Sequence, residues 1–459
     1  MAARRKGNAM LIEFRVSNFR SFNEVQTFSL VASKDALLPD NLIQVDGESL
    51  LKAAAVYGAN ASGKSNLVKA LGFVKRFVTT SATQMNQGDP IPSLVHFRLD
   101  PAARSRPSSF ELQVLIDEIC YHYAFSATAD RVYDERLHVC WPGKRKQRWF
   151  DRHFDEKVGA STWAFGASFK KSDQALLRDK TRDNGLLLSR AAELNFQPLV
   201  PLFLWFRDTL AVLDLSGSPD GLVHQTALLA KNDENLRQRI TQIVSDADMG
   251  VDEVSITEKK LVWSLSDHMS LDKFNIVNLD QTLIGGGTIY YPPAAFPYAP
   301  LSDLTVQLSH RLPQSSKHVI FDLDDESSGT RRLFALCGPM LEALSKGGVV
   351  VVDEIDCSMH PLLVRRLLEL FQSASANSRG AQLVFTTQDA TMMDNSLFRR
   401  DQIWLIEKKP SGASDLFSLY DFSTKGRPRN TEALQRNYLA GRYGGVPRFG
   451  PTFEDLEIK

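Results

Sequence analysis

Gly58-Ala59-Asn60-Ala61-Ser62-Gly63-Lys64-Ser65 fits the pattern G-x-x-x-x-G-K-[ST], and the residues around it supply the context that pattern needs. Before it, Ala53-Ala54-Ala55-Val56-Tyr57 reads as a short buried strand; after it, Leu67, Val68, Ala70, Leu71 and Val74 recur at helical spacing. In such a strand–loop–helix unit the glycines permit a tight turn whose backbone N–H groups wrap a phosphate. The helix N-terminus adds its positive dipole end. Lys64 is placed to reach the β- and γ-phosphates, and the Ser65 hydroxyl to help hold Mg²⁺. Asn60, Ser62 and Asn66 complete the candidate nucleotide contacts of the loop with Gly58 and Gly63. The stretch predicts a chain that binds ATP or GTP.

Far along the chain, Gly347-Gly348-Val349-Val350-Val351-Val352-Asp353-Glu354 predicts a strand ending in two carboxylates. Four consecutive valines cannot alternate, so the strand is covered on both faces, as in a parallel sheet. Beside a phosphate loop, Asp353 can enter the Mg²⁺ shell and Glu354 can orient or deprotonate the attacking water. Upstream, Glu326-Ser327-Ser328-Gly329-Thr330-Arg331-Arg332 opens a helix running through Leu333, Leu336, Met340, Leu341 and Leu344. Serines and a glycine there are ordinary capping chemistry, and they also form an anion-binding nest of N–H groups. The sharper reading has that nest receive a γ-phosphate held by a second subunit. After the acidic strand come Asp356-Cys357-Ser358-Met359-His360-Pro361. Gln382-Leu383-Val384-Phe385-Thr386-Thr387-Gln388-Asp389 is a further buried strand whose polar tip suits a γ-phosphate sensor.

At 459 residues the chain has room for two or three domains, or for one core with a large insertion. With 43% hydrophobic and 24% charged residues it is an ordinary globular composition. Lys+Arg and Asp+Glu both number 54, so global charge points to neither a nucleic-acid nor a membrane partner, although a local patch can hide in a neutral total. Cys120, Cys140, Cys337 and Cys357 form no C-x-x-C pair and read as reduced residues of a cytoplasmic protein, with no metal framework. No apolar run approaches a membrane span, and the basic start lacks the apolar segment of a signal peptide.

Elsewhere the pattern predicts two strands within residues 11–31, joined through Asn18-Phe19-Arg20-Ser21-Phe22. A β meander follows over 93–139, including Val95 to Leu99. The aromatic and basic stretch 140–175 reads as a solvated hairpin tip, with nucleic-acid binding as its sharper alternative. Helices are expected over Leu186–Leu194, Leu199–Leu215 and Asp233–Val244, the last with Asn232 or Asp233 as N-cap, then a hairpin over Val251–Leu265. Gly285-Gly286-Gly287 lacks a following lysine and helix and reads as a turn. The R-x-x-x-x-H spacing of Arg148 and His153 has no supporting helix pair.

A phosphate loop of form G-x-N-x-x-G-K-S, an S-S-G-T stretch, a D-E pair, a later His-Pro and a T-T-Q-D strand end occur in that order. This resembles the ABC-type ATPases of the SMC, RecF and OLD kind, and most of all the AAA-family ATPases of bacterial abortive-infection and anti-phage systems. The Asn18–Phe22 turn and the ending Tyr438-Leu439-Ala440-Gly441-Arg442-Tyr443-Gly444-Gly445-Val446-Pro447 also look like that group. The resemblance implies an α/β fold: an ABC-type P-loop core with a mixed sheet, and a helical and β insertion between its halves. The expected organisation is a leader over 1–9, an N-terminal half with a β lobe over 10–150, an inserted arm over 151–300 and a C-terminal half over 301–459. It further implies that Ser328 and Gly329 stand at the ABC signature, that Asp356 to His360 form the D-loop, and that Arg20 joins the nucleotide contacts. Two departures stand out. Gln388 occupies a switch position where this group usually carries histidine; it can donate a hydrogen bond but cannot become cationic. OLD proteins carry a C-terminal TOPRIM nuclease, which is not expected here: Asp322-Leu323-Asp324-Asp325 mimics a TOPRIM D-x-D yet runs straight into the signature and reads as the strand leading there.

The expected function is therefore an ATP-hydrolysing switch with ATP and Mg²⁺ as cofactors. Ser65 and Asp353 hold the metal, and Glu354 and Gln388 act on the water and γ-phosphate. The resemblance implies a homodimer or higher homo-oligomer closed around nucleotide, a separate effector of TOPRIM or other nuclease type, and DNA or a phage protein as trigger. The alternative is a RecF- or SMC-like ATPase of DNA repair or chromosome maintenance.

Overall fold

In the computed structural model the described residues are 9–45, 47–215, 217–247, 250–260, 302–312, 315, 317–422 and 432–447. The apolar run before the phosphate loop forms β5 (Ala53–Tyr57), wholly buried, and the loop leads into α1 (Lys64–Thr80). Strand β5 lies inside a six-stranded sheet ordered β11 (Leu210–Asp214), β15 (Val349–Asp353), β16 (Gln382–Thr386), β5, β17 (Ile403–Lys408) and β18 (Ser414–Ser418). The first five are parallel and β18 runs antiparallel, so the sheet is mixed, as the resemblance implied. The four valines of β15 are all buried between parallel neighbours.

A second sheet is antiparallel throughout. Its order is β10 (Ala160–Phe165), β9 (Gln147–Asp155), β8 (Val132–Cys140), β7 (Ile119–Ala127), β6 (Ser108–Ile116), β1 (Ala9–Ser17) and β2 (Gln26–Ser29). Helix α1 lies between the two sheets. Phe73 and Phe77 meet Phe110 and Phe125 of the antiparallel sheet at ring-centroid distances of 5.0–6.4 Å. On its other side, a Cβ on Gly72 would sit 3.5 Å from Val212 of β11. A small hairpin, β3 (Leu42–Val45) with β4 (Glu48–Leu51), precedes β5.

Between the halves lie α2 (Lys171–Lys180), α3 (Leu187–Glu193) and α4 (Val200–Leu204), then α5 (Asp220–Asn232) and α6 (Glu234–Ala247). Asp233 caps α6 as expected, its Oδ1 accepting from the Leu236 N–H at 3.1 Å. Strands β12 (Val251–Lys260), β13 (Ser302–Arg311) and β14 (His318–Asp322) form a three-stranded sheet ahead of α7 (Ser328–Lys346). Proline 339 inside α7 has no N–H for the Ala335 carbonyl, and the Thr226 hydroxyl of α5 donates to that carbonyl at 2.9 Å. Gly338 permits the approach, since a Cβ there would lie 2.9 Å from Thr226 Cα. Helices α8 (Pro361–Gln372) and α9 (Leu434–Leu439) complete the described elements.

Four expectations change. The apolar stretch Leu199–Leu215 is not one helix: α4 gives way to a π turn at Trp205–Thr209 and then to β11, paired in parallel with β15 from Leu210↔Val349 to Asp214↔Asp353. Continuous apolar runs suit a buried parallel strand as well as a buried helix, and the neighbour decided. The boundary at 150/151 falls inside β9, because Arg152 of that strand is buried and holds the Gly185 carbonyl at 2.8 Å. Val95–Leu99 is loop, tied to the Asn18–Phe22 turn: Arg20 N–H donates to Val95 O (2.7 Å) and Phe97 N–H to Asn18 Oδ1 (3.2 Å). Val251–Lys260 is one continuous strand, β12, paired with β13, and residues 261–265 of the expected hairpin lie outside the described residues. Gly285–Gly287 and residues 1–8 of the expected leader lie outside the described residues; Ala9 opens β1.

Two buried amides fasten the core, Gln382 between the two sheets and Gln402 between β5 and the turn before β17. Gln382 Oε1 accepts from the Leu11 N–H (2.7 Å), while its Nε2 donates to the Leu11 and Leu51 carbonyls (3.1 Å each). Gln402 Nε2 donates to the Ala53 carbonyl at 2.8 Å. Gln382→Leu keeps the volume and strands three buried backbone groups, so it should destabilise the fold by roughly 2–4 kcal/mol. The check is the urea-unfolding midpoint, and an unchanged midpoint would refute the clasp.

Candidate functional site

Parallel strands bring the chemistry to one edge. The phosphate loop follows β5, the acidic pair ends β15, and Gln388 follows β16, all at the carboxyl ends where open α/β sheets bind ligands. The loop is clamped from outside. A Cβ on Gly58 would lie 2.5 Å from the Ile406 carbonyl, and one on Gly63 (φ 118°) would strike Ser414 Oγ and stand 2.8 Å from Ser21 Oγ. Ser21 belongs to the Asn18–Phe22 turn; its hydroxyl also accepts from Asn66 Nδ2 at 2.7 Å. Asn66 thus fastens that turn to α1. The C-terminal segment closes the other flank: Tyr438 stacks edge-on against Tyr57 at 5.9 Å, its hydroxyl donates to Gly445 O at 3.1 Å, and Gly58 Cα lies against Gly445.

Inside the loop, Lys64 Nζ donates to the Gly58 (2.6 Å) and Ala59 (3.2 Å) carbonyls. Burial lowers its pKa, and Glu354, Asp353 and Asp356 oppose that shift, so the ammonium faces three carboxylates. The Ser62 hydroxyl is buried without a partner, and Asn60 stands exposed at the loop tip.

Asp353 and Glu354 are positioned by a residue that sequence reasoning did not single out. The Thr386 hydroxyl of β16 donates to Asp353 Oδ1 at 2.6 Å and accepts from the Glu354 N–H at 2.8 Å. One hydroxyl thereby orients the first carboxylate and the backbone of the second. Ser65 also hydrogen-bonds Asp353, joining the phosphate-loop serine to the acidic strand. Burial raises the Asp353 pKa, with the Thr386 and Ser65 hydrogen bonds opposing and Asp214, its register partner on β11, reinforcing it. Glu354 has φ 52°, a left-handed conformation that non-glycine residues rarely adopt and that turns the chain sharply after Asp353. The T-T-Q-D strand end held the signal for Thr386; Asp214 lay in a stretch read as helix.

Gln388 is exposed, and its backbone N–H donates to Asp356 Oδ2 at 3.1 Å, which ties the segment after β16 to the turn after β15. His360 caps α8, its Nδ1 accepting from the Leu362 N–H at 3.2 Å. Ser327, not Ser328, caps α7, its Oγ accepting from the Thr330 N–H at 3.1 Å. Ser328 is exposed, and a Cβ on Gly329 would lie 2.8 Å from the Ser358 carbonyl, so the start of α7 packs against the turn that follows β15. Arg20 sits in the turn beside the loop with φ 52°, over the Phe19 ring at 5.5 Å; burial and then Arg98 lower its pKa. Among the described residues its guanidinium makes no hydrogen bond to the phosphate loop, and its buried Nε lacks a partner. Among the described residues no helix is long and apolar enough to cross a membrane.

The donor set fits a polyphosphate and a hard cation. An ammonium, an orphaned hydroxyl and a loop whose two glycines have no room for a Cβ stand before a helix N-terminus, with a hydroxyl and a carboxylate as oxygen ligands alongside. This fold and site define a phosphate-loop ATPase of the ABC type. The sequence model of the family described as "AAA domain, putative AbiEii toxin, Type IV TA system" matches residues 53–394, and the chain belongs to that family. No curated protein matches the chain. Among solved structures it is similar to the SMC head domain from Thermotoga maritima (TM-score 0.38, 13% identity, 89% of this chain and 98% of that one). It is also similar to the Smc head domain bound to the C-terminal domain of ScpA derived from Pyrococcus furiosus (0.37, 12%, 89% and 96%). A third is the recombination mediator protein RecF with ATP (0.34, 14%, 91% and 100%).

Two substitutions test the geometry. Lys64→Ala removes charge-assisted hydrogen bonds of about 1.5–3 kcal/mol, so ATP affinity should fall roughly 10–100-fold in calorimetry with the fold intact. Thr386→Val keeps the shape and removes the shared hydroxyl. Mg²⁺-dependent turnover should drop by about 10–100-fold, the usual cost of losing a support to a metal ligand. Wild-type turnover in that variant would deny Thr386 its positioning role.

Proposed function

We propose that this chain is an ATP-driven switch of an abortive-infection system, which closes as a dimer around nucleotide and controls a separate toxic effector, a nuclease. In this reading Gly58, Asn60, Ser62, Gly63, Lys64 and Ser65 cradle the phosphates, and Ser65 and Asp353 hold Mg²⁺. Bound there, the ion neutralises the β- and γ-phosphate charge. Glu354 takes the proton of the attacking water, and Gln388 donates to the γ-phosphate without adding charge. Arg20, cationic and lacking a partner at Nε, approaches the nucleotide from the Asn18–Phe22 turn. Membership of the family supports the link to abortive infection.

The observation that carries the dimer is the exposed start of α7. Ser328 stands exposed at the surface, and Gly329 packs against Ser358 of the proposed D-loop. A helix start with its hydroxyl unspent and its neighbour reduced to glycine suits an anion supplied from outside the subunit.

Glu354→Gln should bind ATP and leave it unhydrolysed, accumulating a dimer in size-exclusion chromatography; a monomer under those conditions would defeat the sandwich. Ser328→Arg should bind ATP yet lose turnover. Mixed with Lys64→Ala protein, it forms dimers in which one site carries both lesions and the other neither. Statistical mixing of a two-fold dimer leaves roughly a quarter of the sites' activity. No recovery despite proven mixed assembly would point to sites completed within one chain.

A further inference from the structure

Strand β7 carries Cys120-Tyr121-His122 and strand β8 carries His138-Val139-Cys140. Their antiparallel register sets Cys120 opposite Cys140 and His122 opposite His138. Tyr121, Tyr123, Leu137 and Val139 lie in the core. By strand alternation the two cysteines and two histidines therefore share the other face, turned away from α1 and the phosphate loop. All four are half-buried, and a concave surface of about 400 Å³ borders both histidines together with Glu111, Arg136 and Lys146.

The spacing suits a tetrahedral metal. Directly opposed residues hold their Cβ atoms roughly 5 Å apart, and residues two apart along a strand are separated by about 6.7 Å. Two short cysteine side chains can therefore meet a metal above their own pair, and the longer imidazoles can span the two-residue step through Nε2. Cys120 Sγ already stands 3.4 Å from His122 Nε2. Bonds of about 2.3 Å to sulfur and 2.0–2.1 Å to nitrogen, at a tetrahedral angle, place those atoms about 3.5 Å apart.

We propose that Cys120, His122, His138 and Cys140 form a closed four-ligand site for Zn²⁺ on the open face of the β lobe. Two thiolates and two imidazoles are a donor set that selects zinc over hard cations, and they cancel its charge. The thiolate is the ligating form of cysteine, so zinc displaces a proton from each thiol on binding. Among the described residues no three such side chains converge as they stand, and closing the site takes side-chain rotation on fixed strands. The ion would tie β7 to β8 at the end remote from their own connection and anchor the basic turn at Lys144–Lys146.

The test uses the reduced, metal-stripped full chain with Co²⁺ as probe. Thiolate-to-cobalt absorption should saturate at one equivalent, disappear on adding Zn²⁺, and accompany release of two protons per metal. Cys120→Ser and Cys140→Ser should each weaken binding more than about a hundredfold, since even the supports of metal ligands cost 10–100-fold. Cys337→Ser and Cys357→Ser should leave binding unchanged. Should the β-lobe serine variants misfold, the His122→Gln and His138→Gln pair carries the same test with both thiols in place, and should retain a weakened thiolate band. No band at one equivalent, a band that survives the Cys120→Ser/Cys140→Ser double variant, or a Cys120–Cys140 disulfide under these conditions would overturn the site.

Discussion

Helix α1 is buried on both sides, and that burial governs the rest of the molecule. Eleven of its 17 residues are inaccessible, with the Phe73 and Phe77 rings against one sheet and Gly72 against the other. Aromatic pairs at these separations add about 0.5–1.5 kcal/mol each beyond their burial. A helix held this way cannot pivot, so its N-terminus and the loop before it occupy one place at the sheet edge. Lys75 secures the same geometry, donating from within the helix to the Leu210 carbonyl where β11 begins.

From that fixed helix start, the neighbouring strand ends are brought in by register alone. The Asp353 carboxylate meets Thr386 because β15 and β16 run parallel in step, and Ser65 meets Asp353 because α1 starts beside both. Thr386 couples the two acidic residues through a single oxygen. A shift of one residue in either strand would turn its side chain to the other face and break the coupling.

The loop is closed by parts of the chain distant in sequence. Ser21 and Ser414 press on Gly63, and Tyr438 and Gly445 press on Tyr57 and Gly58. Ser414 N–H donates to Ser21 O at 2.7 Å, so the Asn18–Phe22 turn and the start of β18 meet at the loop. Any change in the N-terminal turn or the C-terminal segment is therefore felt at the phosphate-binding loop.

The sequence by itself determined the chemistry that local backbone rules express. A glycine loop ahead of a periodic helix, four valines before two acids, and serines at a helix start each dictate their own conformation within a few residues. The buried parallel strand and the N-cap of α6 followed from those rules. What only the tertiary structure decided is whatever depends on a partner elsewhere in the chain. Leu210–Asp214 became a strand because β15 offered it an open edge, and Arg152 drew the β lobe past residue 150 by holding the carbonyls before α3. The cysteines, read along the chain, made no pair; across β7 and β8 they face one another beside two facing histidines. Periodicity reports which face a residue occupies, whereas register between strands reports what stands opposite, and register is set by the packing of the whole sheet.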